Sequence, residues 1–164
     1  EQAVRQSTIS KARAVQRIIV FLSIFYRKFL AKEKLRFTVM VADINDLKKV
    51  NDTYGHDYGD MLIKNGAEVL KKIWGTKDVY RIGGDEFAIL HMNVSKDDAE
   101  KNIVLFEDAI KEYNVQNDKT ELYLQMAIGM AEYDPKIDKE YMDVFHRADN
   151  AMYEDKKAKK MKNK

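Results

Sequence analysis

The chain of 164 residues has no cysteine, so disulfides and thiol chemistry are excluded and a reducing, cytoplasmic setting is the expectation. Its three histidines, His56, His91 and His146, are widely separated, a poor ligand set for zinc. One proline, Pro135, leaves no proline-rich linker, and there is neither an internal repeat nor a low-complexity tract. Serine and threonine are scarce beside acids, which leaves no nucleophilic triad to consider. The longest apolar run, residues 18–26, is broken by Ser23 and falls far short of the roughly 20 residues a membrane helix needs. Since the first residue is Glu rather than Met, a sensory or membrane region upstream is expected to be the only route to a bilayer. Neither charge sign dominates: 29 basic and 27 acidic residues leave a formal charge of +2, which argues against nucleic acid as a partner. The one basic cluster, Lys156 to Lys164, reads beyond Lys156 as a solvated helix end.

What is present suits a single domain, since 45% hydrophobic residues are ample for one core. Val15, Ile18, Leu22, Phe25 and Phe29 recur at helical steps and predict a helix over 11–34, set apart as an N-terminal segment, residues 1–34, before a domain over 35–164. Further along, the pattern predicts a strand over 36–42, a short helix after Asn45, a helix from about Asp57 to Trp74 and a hairpin around Gly83. Next come a helix N-capped by Ser95, a strand over 121–130, a turn at Pro135 and a last helix over about 138–158. That order suits an antiparallel-containing sheet covered by helices.

The chemistry concentrates at residues 83–87, Gly-Gly-Asp-Glu-Phe, between two strand-like runs. Two glycines supply turn freedom and clear side chains from a surface that another group must approach. Asp85 and Glu86 stand side by side, and adjacent carboxylates that stay ionised usually share a cation. A third acid, Asp43, ends the apolar strand upstream. Capping the following helix is its bland role; meeting the other two acids across the sheet is the sharper one. Together they suggest a metal-assisted phosphate site, because magnesium is commonly held by one or two carboxylates plus substrate phosphates.

Residues 43–60, Asp-Ile-Asn-Asp-Leu-Lys-Lys-Val-Asn-Asp-Thr-Tyr-Gly-His-Asp-Tyr-Gly-Asp, followed by Arg81-Ile82-Gly83-Gly84-Asp85-Glu86-Phe87, closely resemble the GGDEF domain of diguanylate cyclases. A late block, Ala148-Asp149-Asn150-Ala151-Met152-Tyr153-Glu154-Asp155-Lys156, resembles that family's closing motif. The resemblance implies an α/β fold of palm-like α+β kind, a nucleotidyl-cyclase or ferredoxin-like core preceded here by an extra helix. It also implies condensation of two GTP into cyclic di-GMP, with one GTP per domain and a second copy of the domain facing the first.

Carried over by motif position, Asp43, Asp85 and Glu86 would hold magnesium, or manganese in its place, with the Ile44 carbonyl. Asp85 would help deprotonate the attacking 3′-hydroxyl. Asn51 and Asp60 would bond the guanine edge. Lys48, Arg81 and Lys156 would neutralise the triphosphate, and the amides of Asp46, Leu47 and Lys48 would cradle it. A carboxylate at Asp60 suits the two donors of guanine and would reject adenine. The chain departs from the family at several places: no D-x-L-T-G-L string opens it, Asn45 replaces an Asp, and Asp155, Lys159 and Lys160 stand where Ala, Gly and Arg are usual. At the product-binding R-x-x-D positions it has Trp74 and Lys77, so product feedback there is predicted to be absent. The missing entry motif and irregular tail suggest the alternative of a catalytically silent module that binds GTP or a partner as a switch.

Overall fold

The computed structural model describes residues 36–117 and 123–162, and the helix expected over 11–34 lies outside them. The described elements are β1 (Phe37–Ile44), α1 (Leu47–Tyr54), α2 (His56–Trp74), β2 (Val79–Arg81), β3 (Glu86–Met92), α3 (Lys96–Gln116), β4 (Met126–Glu132) and α4 (Tyr141–Lys162). The strands form one antiparallel sheet in the order β2-β3-β1-β4. This is the predicted α+β arrangement, with the most apolar strand in an interior position.

All eight residues of β1 are buried, because helices cover both faces of the sheet. Strand alternation sends Met40, Ala42 and Ile44 towards α2 and α3, where they meet Leu62, Leu70, Trp74 and Phe106. Phe37, Val39 and Val41 point the other way, onto Val144, Ala148 and Met152 of α4. There α4 approaches very closely. A Cβ on Gly129 would lie 2.0 Å from the Met152 amide nitrogen and 2.3 Å from the Ala148 carbonyl oxygen, so only glycine fits. Ser95 caps α3 as expected, its hydroxyl accepting from the Asp98 N–H at 3.1 Å.

Two boundaries differ from expectation. Of the strand expected over 121–130, residues 121 and 122 lie outside the described residues and β4 covers Met126–Glu132, because the Asn114 side chain takes over the backbone of Leu124. Its amide donates to the Leu124 carbonyl at 2.9 Å and its oxygen accepts from the Leu124 N–H at 2.8 Å, which removes both groups from strand pairing. The last helix starts at 141 rather than 138. Asp138 is instead buried in the preceding turn, where its carboxylate accepts from Arg147 and from the Asp134 N–H. The side chain of Asp143 accepts the N–H groups of Lys139 and Glu140, at 2.7 and 2.9 Å, and so serves the helix start.

Candidate active site

The predicted site residues gather at one end of the sheet, where β1 ends and the β2–β3 hairpin turns. The hairpin is closed by the N–H groups of Ile82 and Gly83, both donating to the Glu86 carbonyl, and is tied to β1 by the Ile44 N–H donating to the Asp85 carbonyl at 3.0 Å. Neither Gly83 nor Gly84 has a positive φ, so conformational freedom is not the reason for the glycines. Space is the reason at Gly83, where a Cβ would lie 2.5 Å from the Glu86 carboxylate. Arg81 closes the turn from outside, its guanidinium donating to the Gly83 and Gly84 carbonyls at 3.2 and 2.8 Å. A residue expected to meet phosphate thus holds the turn that presents the acids.

Asp43 and Glu86 are directly opposed in the β1–β3 register, which brings their Cβ atoms to within about 4.5–5.5 Å on the face covered by α4. Asp43 is only 5% exposed, and its carboxylate accepts from the ammonium of Lys156 on α4 at 2.5 Å. Burial raises the Asp43 pKa above the usual carboxylate range, opposed by Lys156 and reinforced by Asp85. Glu86 is also raised, first by partial desolvation and then by the negative charges of Asp85, Asp43 and Asp149. The end of the sheet therefore holds more negative charge than Lys156 neutralises.

Among the described residues no three histidine, aspartate or glutamate side chains stand close enough together to hold a metal ion. Asp43 and Glu86 are the pair the fold brings together; Asp85 is sensed electrostatically by both rather than gathered with them. Two hard oxygen donors with unrelieved repulsion nevertheless suit a magnesium ion that completes its shell with phosphates and water. The ammonium of Lys156 now supplies the positive charge that Asp43 requires.

The remaining candidates lie around this point on other elements. α1 is preceded by Asp46, whose φ of 56° is left-handed and whose side chain makes no capping hydrogen bond, so the first-turn amides receive no cap from it. Lys48 is exposed on that turn and Leu47 is buried beneath it. The side-chain oxygen of Asn51 is buried without a partner and lies where a Cβ on Gly59 would be 1.8 Å away, so Gly59 in α2 is what admits the Asn51 amide. Asp60 is exposed on α2 and lines a cavity of about 440 Å³ with Ile63, Lys64, Val79, Arg81 and Phe87. Phe87 and Arg81 are register partners, so this cavity opens on the sheet face opposite to Asp43 and Glu86. The fold thus divides the predicted residues between an acid face with Lys156 and a cavity face with Asp60 and Arg81, on either side of one turn.

Motif reading missed the partner of Lys156 and two further side chains on α4. The Asp155 carboxylate accepts from the Ile128 N–H, and Lys159 donates to the Met126 carbonyl. Their spacing of four on a helix was the available sign.

The family model described as diguanylate cyclase, GGDEF domain, matches residues 17–162. The chain is 28% identical over 126 residues to diguanylate cyclase A of Treponema denticola, covering 76% of this chain and 34% of that protein. It is 34% identical over 128 residues to diguanylate cyclase DgcZ of Escherichia coli, covering 76% of this chain and 42% of that protein. It therefore spans less than half the length of either relative. Among solved structures, the GGDEF-domain form of TpbB or YfiN from Pseudomonas aeruginosa superposes with a TM-score of 0.71 at 27% identity, over 85% of this chain and 83% of that one. The GGDEF domain of DgcB from Caulobacter crescentus, in complex with c-di-GMP, gives 0.64 at 26% identity, over 76% and 74%.

Proposed function

Because the chain belongs to the GGDEF family of diguanylate cyclases, we propose that it binds one GTP at this end of the sheet and, facing a second copy, condenses two GTP into cyclic di-GMP with release of two pyrophosphates. The observation that carries this reading is the register pair Asp43 and Glu86 beside the Gly83-Gly84 turn, with the Lys156 ammonium already placed on Asp43. A divalent ion held there by Asp43, Glu86 and the Ile44 carbonyl would supply Lewis-acid stabilisation of the α-phosphate during displacement.

The chain's own groups do the rest. Uncapped amides at Asp46, Leu47 and Lys48 receive phosphate oxygens, and Lys48 and Lys156 offset the charge that accumulates as pyrophosphate leaves. Asp85 accepts the proton of the attacking 3′-hydroxyl, whose oxygen forms the new bond to the α-phosphorus. Asp60 accepts from the guanine N1 and N2 donors and Asn51 bonds the same edge; the orphaned Asn51 oxygen supports a ligand there. Arg81 serves by fixing the turn, a firmer role than the phosphate contact its motif position implies. Trp74, packed against Phe106 at 5.6 Å between ring centres, occupies the position of the product-binding arginine, so feedback at that site is absent in this reading.

A second reading, a silent module that binds GTP without turnover, is favoured by the lack of three gathered acids and by Lys156 lying on Asp43. Incubating the purified chain with GTP and Mg²⁺ and measuring cyclic di-GMP, with Asp85→Ala as control, decides between them. Product from the native chain alone supports the cyclase, whereas nucleotide binding without product supports the switch.

A further inference from the structure

Beyond Met152, α4 buries no apolar side chain. In its last ten residues only Asp155, Lys156 and Lys159 are other than exposed. Apolar packing therefore does not hold this end of the helix to the sheet. Polar contacts do: the Asp155 carboxylate accepts from the Ile128 N–H at 2.9 Å, while Lys159 donates to the Met126 carbonyl at 3.0 Å and pairs with both Asp155 and Glu107 of α3 at 2.8 Å.

The places where these contacts land give them a role. Among the described residues β4 is an edge strand, so Met126 and Ile128 present outward backbone groups that no neighbouring described strand takes up. Between them lies Ala127, the register partner of Asp43 on β1. The α4 turn is thus pinned on either side of the residue that adjoins Asp43, and Lys156, next to Asp155, reaches over β4 to that carboxylate.

We propose that Asp155 and Lys159 are positioning residues that clamp the α4 turn on the β4 edge and so deliver the Lys156 ammonium to Asp43 and, with nucleotide bound, to its phosphates. The phosphate half rests on the reading of Lys156 given above. Ala and Gly at the two positions, as the family pattern has, could make neither contact. In this chain the contacts that order the tail come from the positions where it departs from that pattern.

The test compares Asp155→Ala, Lys159→Gln and Asp155→Asn with the native chain, reading the Lys156 ammonium resonance by ¹H–¹⁵N NMR and Mg²⁺-GTP affinity by calorimetry. An ammonium held on a buried carboxylate exchanges slowly, so its signal is expected in the native chain and lost in Asp155→Ala. Loss of one such hydrogen bond should weaken Mg²⁺-GTP binding about fivefold, and Asp155→Asn, which keeps an acceptor for Ile128, should restore most of it. Lys159→Gln, which retains a donor for Met126 but loses the ion pairs, gives a smaller loss in the same direction and serves should Asp155→Ala fail to fold. An unchanged ammonium signal in folded Asp155→Ala or Lys159→Gln overturns the clamp, which then merely covers the sheet edge. If Lys156→Met leaves GTP binding intact, the phosphate reading of Lys156 fails instead, and the ammonium signal still decides the clamp.

Discussion

The two faces of β1 are built from the same strand but held by different forces. Towards α2 and α3 the contact is apolar from Met40 to Ile44, with Met40, Ala42 and Ile44 fully covered and nothing charged among them, and only the buried hydroxyl of Thr38 adds a polar group to that face of the strand. Towards α4 the apolar contact stops at Met152, and from there to the sheet end the faces meet through Asp43, Lys156, Asp155 and Lys159. Apolar burial is non-directional and tolerates approximate fit, whereas a buried carboxylate fixes its partner to within a hydrogen bond. One face holds the fold; the other holds a geometry at some cost in burying carboxylates and, after that, in repulsion between them, which together raise the pKa of Asp43 and Glu86.

That contrast can be broken from either side. The largest effect is expected from Asp43→Asn or Glu86→Gln, either of which should lower cyclic di-GMP formation by about a thousandfold while leaving cooperative unfolding intact. Retained turnover in both would refute the metal assignment. Next, Met40→Ala on the apolar face should destabilise the fold by about 2–5 kcal/mol in urea titration, through a cavity that neither helix can close. A loss below that range would mean that this face repacks freely. Asp60→Ser should then relax preference for GTP over ATP by at least about tenfold in competition binding, and an unchanged preference would place base recognition elsewhere.

The smallest effect concerns pH. Burial and neighbouring acids raise the Glu86 pKa in the folded chain, so the native state binds its proton more tightly than the unfolded state does. Stability without metal should therefore fall as pH rises from below the ordinary glutamate range through the raised value. Glu86→Gln removes that component. At neutral pH the variant should be more stable than the native chain by roughly 0.5 kcal/mol or less, given how exposed the group is, with the difference vanishing in acid. A native chain that gains stability over that interval relative to Glu86→Gln would contradict the charge account. Mg²⁺ should remove the difference if it binds where proposed.

Much of the chain was readable in advance. The α2 helix expected from about Asp57 to Trp74, the Ser95 cap of α3 and the hairpin around Gly83 follow from local pattern and turn chemistry. Asp43 opposite Glu86 followed from expecting the first strand beside the hairpin. Other features depended on partners distant in sequence. Leu124 alternates like a strand residue, yet Asn114 holds its backbone; Gly83 reads as a flexible turn residue, yet serves by leaving room for the Glu86 carboxylate. Arg81 reads as a phosphate ligand from its motif but is engaged by two carbonyls of its own turn.

The order of residues alone determined that three acids, a glycine turn and a set of basic side chains would accompany an α+β fold, because those depend on composition and short-range repeat. Which face each acid occupies was decided by strand register, since neighbours in a strand point to opposite sides. That Lys156 answers Asp43 from 113 positions away, steadied by side chains on a sheet edge, was decided only when α4 packed across β4; a contact between distant segments depends on the packing that brings them together.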